Sequence, residues 1–228
     1  MSSENDAEVN LSPALAGIRL RIAACNGVQK TQVVAVTKGF GAHAVVAAME
    51  AGLTAVGENY AQELLAKDAE LNKRGLSRPD WHFIGRLQRR KVRQLAGIVK
   101  VWQSVDSKPL LEEIAKRDPG ARVLVQVNLS DDLGRGGATS EEAPDLVGYG
   151  RDIGLDVAGL MAIAPIGHVE EARRGFRTVA QVAAELRLAE VSTGMSDDFE
   201  IAVEEGSTMV RIGSALFGAR PQPPAGGG

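Results

Sequence analysis

Val33-Val34-Ala35-Val36-Thr37-Lys38 is a run of β-branched and small apolar residues that stops on a lysine. A run that is apolar on both alternating faces predicts a strand buried on both sides, which occurs mainly in parallel sheets covered by helices. Lys38 stands where that strand ends. An unpaired ammonium is costly to desolvate, so its place is the mouth of a cleft, where a neutral amine can attack a carbonyl to form an imine. Taken alone, a strand-end lysine is more often a solvated side chain than a nucleophile.

On either side of this run, strands and helices alternate. Leu11, Leu15, Ile18 and Ile22 recur at helical spacing before it, and Asn26-Gly27 marks the end of that helix. After Lys38 come a helix over 43–51, a strand at 55–57, a helix over 60–74, a strand at 81–84, a helix over 88–96, a strand at 101–105 and a helix over 109–116. The second half continues with a strand at 123–129 and a helix opened by the capping box Thr139-x-x-Glu142. A strand at 157–163, a helix over 169–186, a strand at 188–192, a helix over 197–205 and a strand at 209–212 complete it. Eight strands alternating with helices predict an α/β fold, a single (β/α)8 TIM-type barrel with an extra N-terminal helix. A doubly wound open sheet is the alternative, but no glycine-rich dinucleotide fingerprint follows Val36.

The 228 residues, 44% hydrophobic and 24% charged, suit one domain with a sizeable core. The expected limits are a disordered segment at 1–10, the barrel at 11–220 and a disordered Pro/Gly tail at 221–228. A formal net charge of −3 and a spread of basic residues give no footprint for nucleic acid. Cys25 is the only cysteine, which excludes an internal disulfide and suits a reducing cytoplasm. There is no signal peptide pattern and no apolar stretch long enough to span a bilayer, so a cytoplasmic protein with no membrane partner is expected.

In a barrel every strand's C-terminal end faces one mouth. The residues expected there are Lys38, Glu58, Asn59, Ser104, Asn128, Met161, Ser196 and Arg211 to Ser214. Ser196 reads as the N-cap of the helix that follows it, with Asp197 and Asp198 in the first turn. Arg211-Ile212-Gly213-Ser214-Ala215 offers backbone N–H groups at the start of a short helix. Loops after strands seven and eight are the usual phosphate cradle of this fold, although Asp197 and Asp198 would oppose an anion unless turned away. A phosphate site facing an imine-capable lysine suggests pyridoxal 5′-phosphate, and a phosphosugar aldolase also fits.

Ala35-Val36-Thr37-Lys38, Gly57-Glu58-Asn59-Tyr60-Ala61-Gln62-Glu63, Trp81-His82-Phe83-Ile84-Gly85-Arg86-Leu87-Gln88, Gln126-Val127-Asn128, Gly159-Leu160-Met161 and the stretches from Thr193-Gly194-Met195-Ser196 to Phe217-Gly218-Ala219-Arg220 occur in one order along nearly the whole chain. This arrangement resembles the pyridoxal phosphate homeostasis protein family, single barrels similar to the N-terminal domain of alanine racemase. The resemblance implies that Lys38 holds pyridoxal phosphate as an imine, that Ser196, Gly213 and Ser214 hold its phosphate, and that Arg211 faces the pyridine nitrogen. With the mouth residues Asn59, Ser104 and Ile212, the expected cofactor set is Lys38, Asn59, Ser104, Ser196, Arg211, Ile212, Gly213 and Ser214, with His82 and Met161 as further candidates. His82, opposite Trp81 and Phe83 on its strand, is expected to point into the barrel. Tyr60 is a candidate acid or base, or simply a residue of the first helical turn.

Three departures stand out. Gly39-Phe40-Gly41 replaces the family's frequent proline-containing turn, so a looser first loop is expected. Arg90 stands where asparagine is frequent. Leu133-Gly134-Arg135-Gly136-Gly137 resembles the alanine racemase version of that stretch, which keeps a pyridoxal phosphate-dependent amino-acid racemase as the alternative. A racemase needs an acid/base on each face of the substrate, and the second, a tyrosine near a C-terminal β-domain in alanine racemase, is not expected here, where the sequence stops soon after strand eight. The leading expectation is a monomeric carrier or regulator of the cofactor pool, with apo-enzymes that use pyridoxal phosphate as its protein partners.

Overall fold

The computed structural model describes residues 10–25, 31–130, 136–165 and 167–219. The run at 33–36 lies in β1 (Gln32–Val36), which pairs with β2 (Ala55–Glu58) on one side and β8 (Met209–Ile212) on the other. Between them run β3 (Asp80–Phe83), β4 (Val99–Val105), β5 (Arg122–Asn128), β6 (Asp156–Ile163) and β7 (Glu190–Met195). All eight pair in parallel and in chain order into a closed barrel, so the open-sheet alternative is excluded.

The helices are α1 (Ser12–Cys25), α2 (Ala42–Glu50), α3 (Ala61–Lys73), α4 (Arg89–Leu95), α5 (Lys108–Arg117), α6 (Ala143–Asp152), α7 (Val169–Glu185), α8 (Phe199–Glu204) and the single turn α9 (Ser214–Phe217). The extra helix α1 buries Leu15, Ile18 and Ile22 and packs against α8 and α9. Arg21 ties it to α8 through a two-pronged contact with Glu200, at 2.8 and 2.7 Å. The expected cap at Asn26-Gly27, residues 1–9, Leu133 to Arg135 and the chain from Arg220 onward lie outside the described residues.

Strand alternation sorts the core into two compartments. Outward residues such as Val33, Ala35, Val56, Trp81, Phe83 and Trp102 form the main core beneath the helices. Each buried tryptophan finds an acceptor there, Trp81 Nε1 donating to Asp68 at 2.9 Å and Trp102 Nε1 to Asp118 at 3.1 Å. Inward residues fill the barrel in smaller groups, Val34, Ala55 and Met209 in one and Val101, Leu124, Ala158 and Met161 in another.

The interior also carries a polar chain. Arg211 donates to Ser192 Oγ at 2.8 Å, Ser192 Oγ donates to Gln103 Oε1 at 2.7 Å, and Gln103 Nε2 lies 2.6 Å from His82 Nδ1. Because Gln103 Nε2 can only donate, His82 Nδ1 is the acceptor and the neutral ring carries its proton on Nε2. Burial pushes the His82 pKa down to about 4. A folded-state value below the ordinary 6.5 means that the neutral ring contributes stability above pH 6.5 and that this contribution is lost as pH falls towards 4. The loss is on the order of 3 kcal/mol. In urea titrations at pH 7 and pH 5, His82→Gln, which keeps an acceptor for Gln103, is expected to be less acid-sensitive than wild type. Equal losses in both proteins contradict this assignment.

Candidate functional site

The register Val34↔Arg211 and Ala35↔Ile212 brings the ends of β1 and β8 level, so Lys38 emerges beside Gly213 and Ser214. They share a cavity of about 380 Å³ in the C-terminal mouth, lined also by Val36, Phe40, Asn59, Ile84, Ile163, Met195, Ser196, Asp197 and Arg211. Six of the eight expected cofactor residues therefore meet there: Lys38, Asn59, Ser196, Arg211, Gly213 and Ser214. A recess of about 520 Å³ opens at the opposite end of the barrel, among Asp80, Lys100, Asp118, Arg122, Asp156, Glu190 and His82. It lacks Lys38 and the hydroxyl-bearing loops after β7 and β8, so the mouth is the candidate site.

Lys38 is half-buried at the start of a tight turn. Phe40 N–H donates to Thr37 O at 3.0 Å, Gly39 has φ +79°, and Gly39 N–H donates to Glu63 Oε2 at 2.8 Å. The Phe40 ring packs against Phe217 with centroids 5.4 Å apart. The expectation of a looser first loop is thus corrected: glycine supplies the left-handed residue of a hydrogen-bonded turn.

In the same cavity, Ser196 Oγ accepts from Gly213 N at 3.3 Å and Ala215 N at 3.2 Å. Two small loops therefore close into one polar rim of backbone N–H groups and hydroxyls. Ser196 does not cap α8 as expected. The N-cap is Asp198, because β7 runs on through Gly194 (φ +84°) to Met195. A Cβ at Gly194 would lie 2.5 Å from Ala202 Cβ, so the glycine lets α8 press directly on the strand end. Asp198 turns back to accept from Met195 N at 2.6 Å, whereas Asp197 is exposed on the cavity wall. One of the two acids is thus withdrawn from the rim.

Arg211 lies behind the rim, almost fully buried, donating to Ser192 O at 2.6 Å and to Ala162 O at 2.8 Å besides Ser192 Oγ. Burial pushes its pKa down to about 10, partly offset by Asp198, which leaves the guanidinium charged at neutral pH. Asn59 contributes a buried Oδ1 that has no partner.

Five expected mouth residues, Glu58, Ser104, Asn128, Met161 and Ile212, do not line the cavity. Ser104 Oγ donates to Gly85 O at 2.5 Å and so braces the loop after β3. A Cβ at Gly85 would fall 2.0 Å from Asn59 O, so Ser104 acts on the mouth through the loop that seats Asn59. Ile212 alternates away from Arg211 into the core under the helices. His82 points into the barrel as expected, and Met161, expected at the mouth, also faces the interior, but neither lines the mouth. Asn128 Oδ1 is used by Ser130 N and Oγ, both at 2.9 Å. Tyr60, 58% exposed at the N-cap of α3, lies outside the cavity, and Arg90 is exposed with Nε donating to Gln88 at 3.0 Å.

Glu58 is the largest displacement from expectation. Its strand alternates Ala55 and Gly57 inward with Val56 and Glu58 outward, which buries the carboxylate beneath α3. Lys67 on α3 meets it there at 2.5 Å, and Lys67 Nζ also donates to Thr37 O at 2.7 Å. Lys67 escaped notice in the sequence. The signal was available, since Leu64, Lys67, Asp68 and Leu71 occupy one buried helical face in which two positions are charged.

With this geometry in place, comparisons with known proteins become informative. The alanine racemase N-terminal domain family model matches residues 18–221. The pyridoxal phosphate homeostasis protein of Aquifex aeolicus is 41% identical over 181 residues, 74% of this chain and 78% of that one. That of Mycobacterium leprae is 35% identical over 94% of this chain and 95% of its own length. This chain belongs to the pyridoxal phosphate homeostasis protein family. Among solved structures, PipY of Synechococcus elongatus is 33% identical and covers 91% of this chain and 100% of its own. It superimposes with TM-scores of 0.81 without PLP and 0.77 with PLP bound. The barrel and its N-terminal helix make up nearly the whole described chain. Among the described residues no helix is long and apolar enough to cross a membrane.

Proposed function

We propose that this chain binds pyridoxal phosphate in the barrel mouth, linked covalently to Lys38, and acts in the cytoplasm as a monomeric carrier or regulator of the cofactor pool. The observation that carries this reading is the meeting of Lys38 with Ser196, Gly213, Ser214 and Arg211 in one cavity. The residues fit the group. The Lys38 amine shares the cavity with the Ser196 and Ser214 hydroxyls and the Gly213 backbone, apolar Val36, Ile84, Ile163 and Met195 lie in the walls, and the unpartnered Asn59 Oδ1 offers an acceptor. PipY, with PLP bound, and relatives named for pyridoxal phosphate homeostasis support it.

When bound, the cofactor supplies an aldehyde, to which a lysine amine adds with loss of water, and a pyridine ring able to withdraw electrons. The chain's own residues then favour holding over turnover. Arg211 is assigned to the ring nitrogen, and a guanidinium charged at neutral pH gives up no proton to it, so the ring remains a weak electron sink. Exposed Tyr60 is outside the cavity, and so offers no acid or base above the ring. Recipients of the cofactor are apo-enzymes whose own lysine displaces Lys38 or captures the released aldehyde.

Two assays test this. Deuterium exchange at Cα of alanine and other amino acids in heavy water is expected to stay near the free-cofactor background, while the loaded protein restores activity to an apo-enzyme. Rapid stereoinversion of an amino acid establishes a racemase and overturns the reading.

A further inference from the structure

We infer that Glu58, Lys67 and Thr37 form a positioning device for Lys38, built into the layer behind the barrel wall and acting on the covalent step rather than on capture of the phosphate. This inference rests on the cofactor reading above and assigns residues that do not touch the cofactor.

The contacts converge on the backbone on both sides of Lys38. Lys67 Nζ donates to Thr37 O, Thr37 Oγ1 donates to Glu58 Oε1 at 2.5 Å, and the same Glu58 oxygen accepts from Lys67. Glu63, one helical turn before Lys67 and 3.5 Å from its Nζ, accepts from Gly39 N. Residues 37 and 39 are thus both held by α3 and β2, leaving the intervening lysine little freedom except in its own side chain. By parity Thr37 and Glu58 face outward, so Val34, Val36 and Lys38 face the interior.

The pair is also unusual in its burial. Among the ion pairs between described residues, it is the one with both side chains buried, at 5% and 0% exposure. Glu58 Oε2 has no hydrogen-bond partner at all. Burial pushes the Glu58 carboxyl above its ordinary range, against the opposing pull of Lys67 and Thr37. A carboxylate raised in this way costs stability once ionised, and buried pairs in general are often replaced by apolar residues without loss of stability. Stability therefore does not account for the pair, whereas fixing a lysine does.

In the covalent step the Lys38 amine adds to the aldehyde carbon, a C=N bond forms, and the aldehyde oxygen leaves as water. The rate depends on how often the amine is held in line with that carbon, and small misplacements of reacting groups are costly. The test is rapid mixing of wild type, Glu58→Gln/Lys67→Met, Thr37→Val and Thr37→Ser with pyridoxal phosphate. It follows the early non-covalent binding signal, the growth of the visible band and the thermal midpoint of each protein.

The expected result is unchanged early binding and at least about tenfold slower link formation in the double variant and in Thr37→Val. Thr37→Ser, which keeps the hydroxyl, restores the wild-type rate, and the double variant is as stable as wild type or more so. Link formation at the wild-type rate in the double variant and Thr37→Val overturns the inference, as does slowing that only tracks a fall in thermal midpoint. Absence of any link in wild type overturns the cofactor reading itself, a separable outcome.

Discussion

Lys38→Ala is expected to leave the purified protein colourless and to weaken its hold on pyridoxal phosphate by at least about a hundredfold. No other described lysine lines the mouth, so no second amine is placed to take over the link. Lys67 is the next described lysine along the chain, but it is buried on the other side of the strand and engaged by Glu58 and Thr37. Residual binding reports what the Ser196, Gly213 and Ser214 rim contributes alone. The fold is expected to survive, because Lys38 is half-buried beyond the end of β1 and the turn around it is made by Thr37, Gly39 and Phe40. Absorbance spectra and equilibrium dialysis measure both effects. A variant that still turns yellow contradicts the assignment of Lys38.

The second large effect concerns the phosphate. Each hydrogen bond to a charged group contributes about 1.5–3 kcal/mol, so pyridoxal, which lacks the dianion, is expected to bind at least about a hundredfold more weakly than its phosphate. Gly213→Val tests the location of that term. Gly213 has a negative φ of −113°, and a Cβ there would lie 3.6 Å from Val36, an ordinary contact. The variant should therefore fold while its added methyl groups obstruct the rim. Loss of phosphate affinity with an unchanged thermal midpoint is the expected result, measured by titration with pyridoxal phosphate and with pyridoxal. Equal affinity for the two ligands removes the cradle from the account.

These predictions draw on residues that the sequence made legible to different degrees. The strands stood out because both faces of a parallel barrel strand are apolar, and β8 (Met209–Ile212) was read to the residue. β7 was not. The expected strand ended at 192, yet it runs on through the left-handed Gly194, which admits α8, and so Ser196 is not the cap it was expected to be. The box Thr139-x-x-Glu142 does form its reciprocal bonds, at 2.9 and 3.2 Å, but it closes a turn and α6 begins only at Ala143.

At the mouth, Lys38 and Arg211 were found lining the cavity, as their strand-end positions suggested. Glu58 and Ile212 were misplaced, because nearness in sequence to a strand end was given more weight than the two-residue alternation that turns a side chain to one face or the other. The lysine that meets Glu58 comes from a helix nine residues later, a tertiary contact that no strand pattern contains. Ser104 belongs to the same class, since its hydroxyl is consumed by a neighbouring loop rather than offered to the cavity.

The central claim is that pyridoxal phosphate is held at Lys38. Its most direct measurement is borohydride reduction of the protein after incubation with pyridoxal phosphate, followed by peptide mapping. The account predicts one phosphopyridoxyl group per chain, on the peptide carrying Lys38. A label on any other lysine, or no label after incubation, contradicts it.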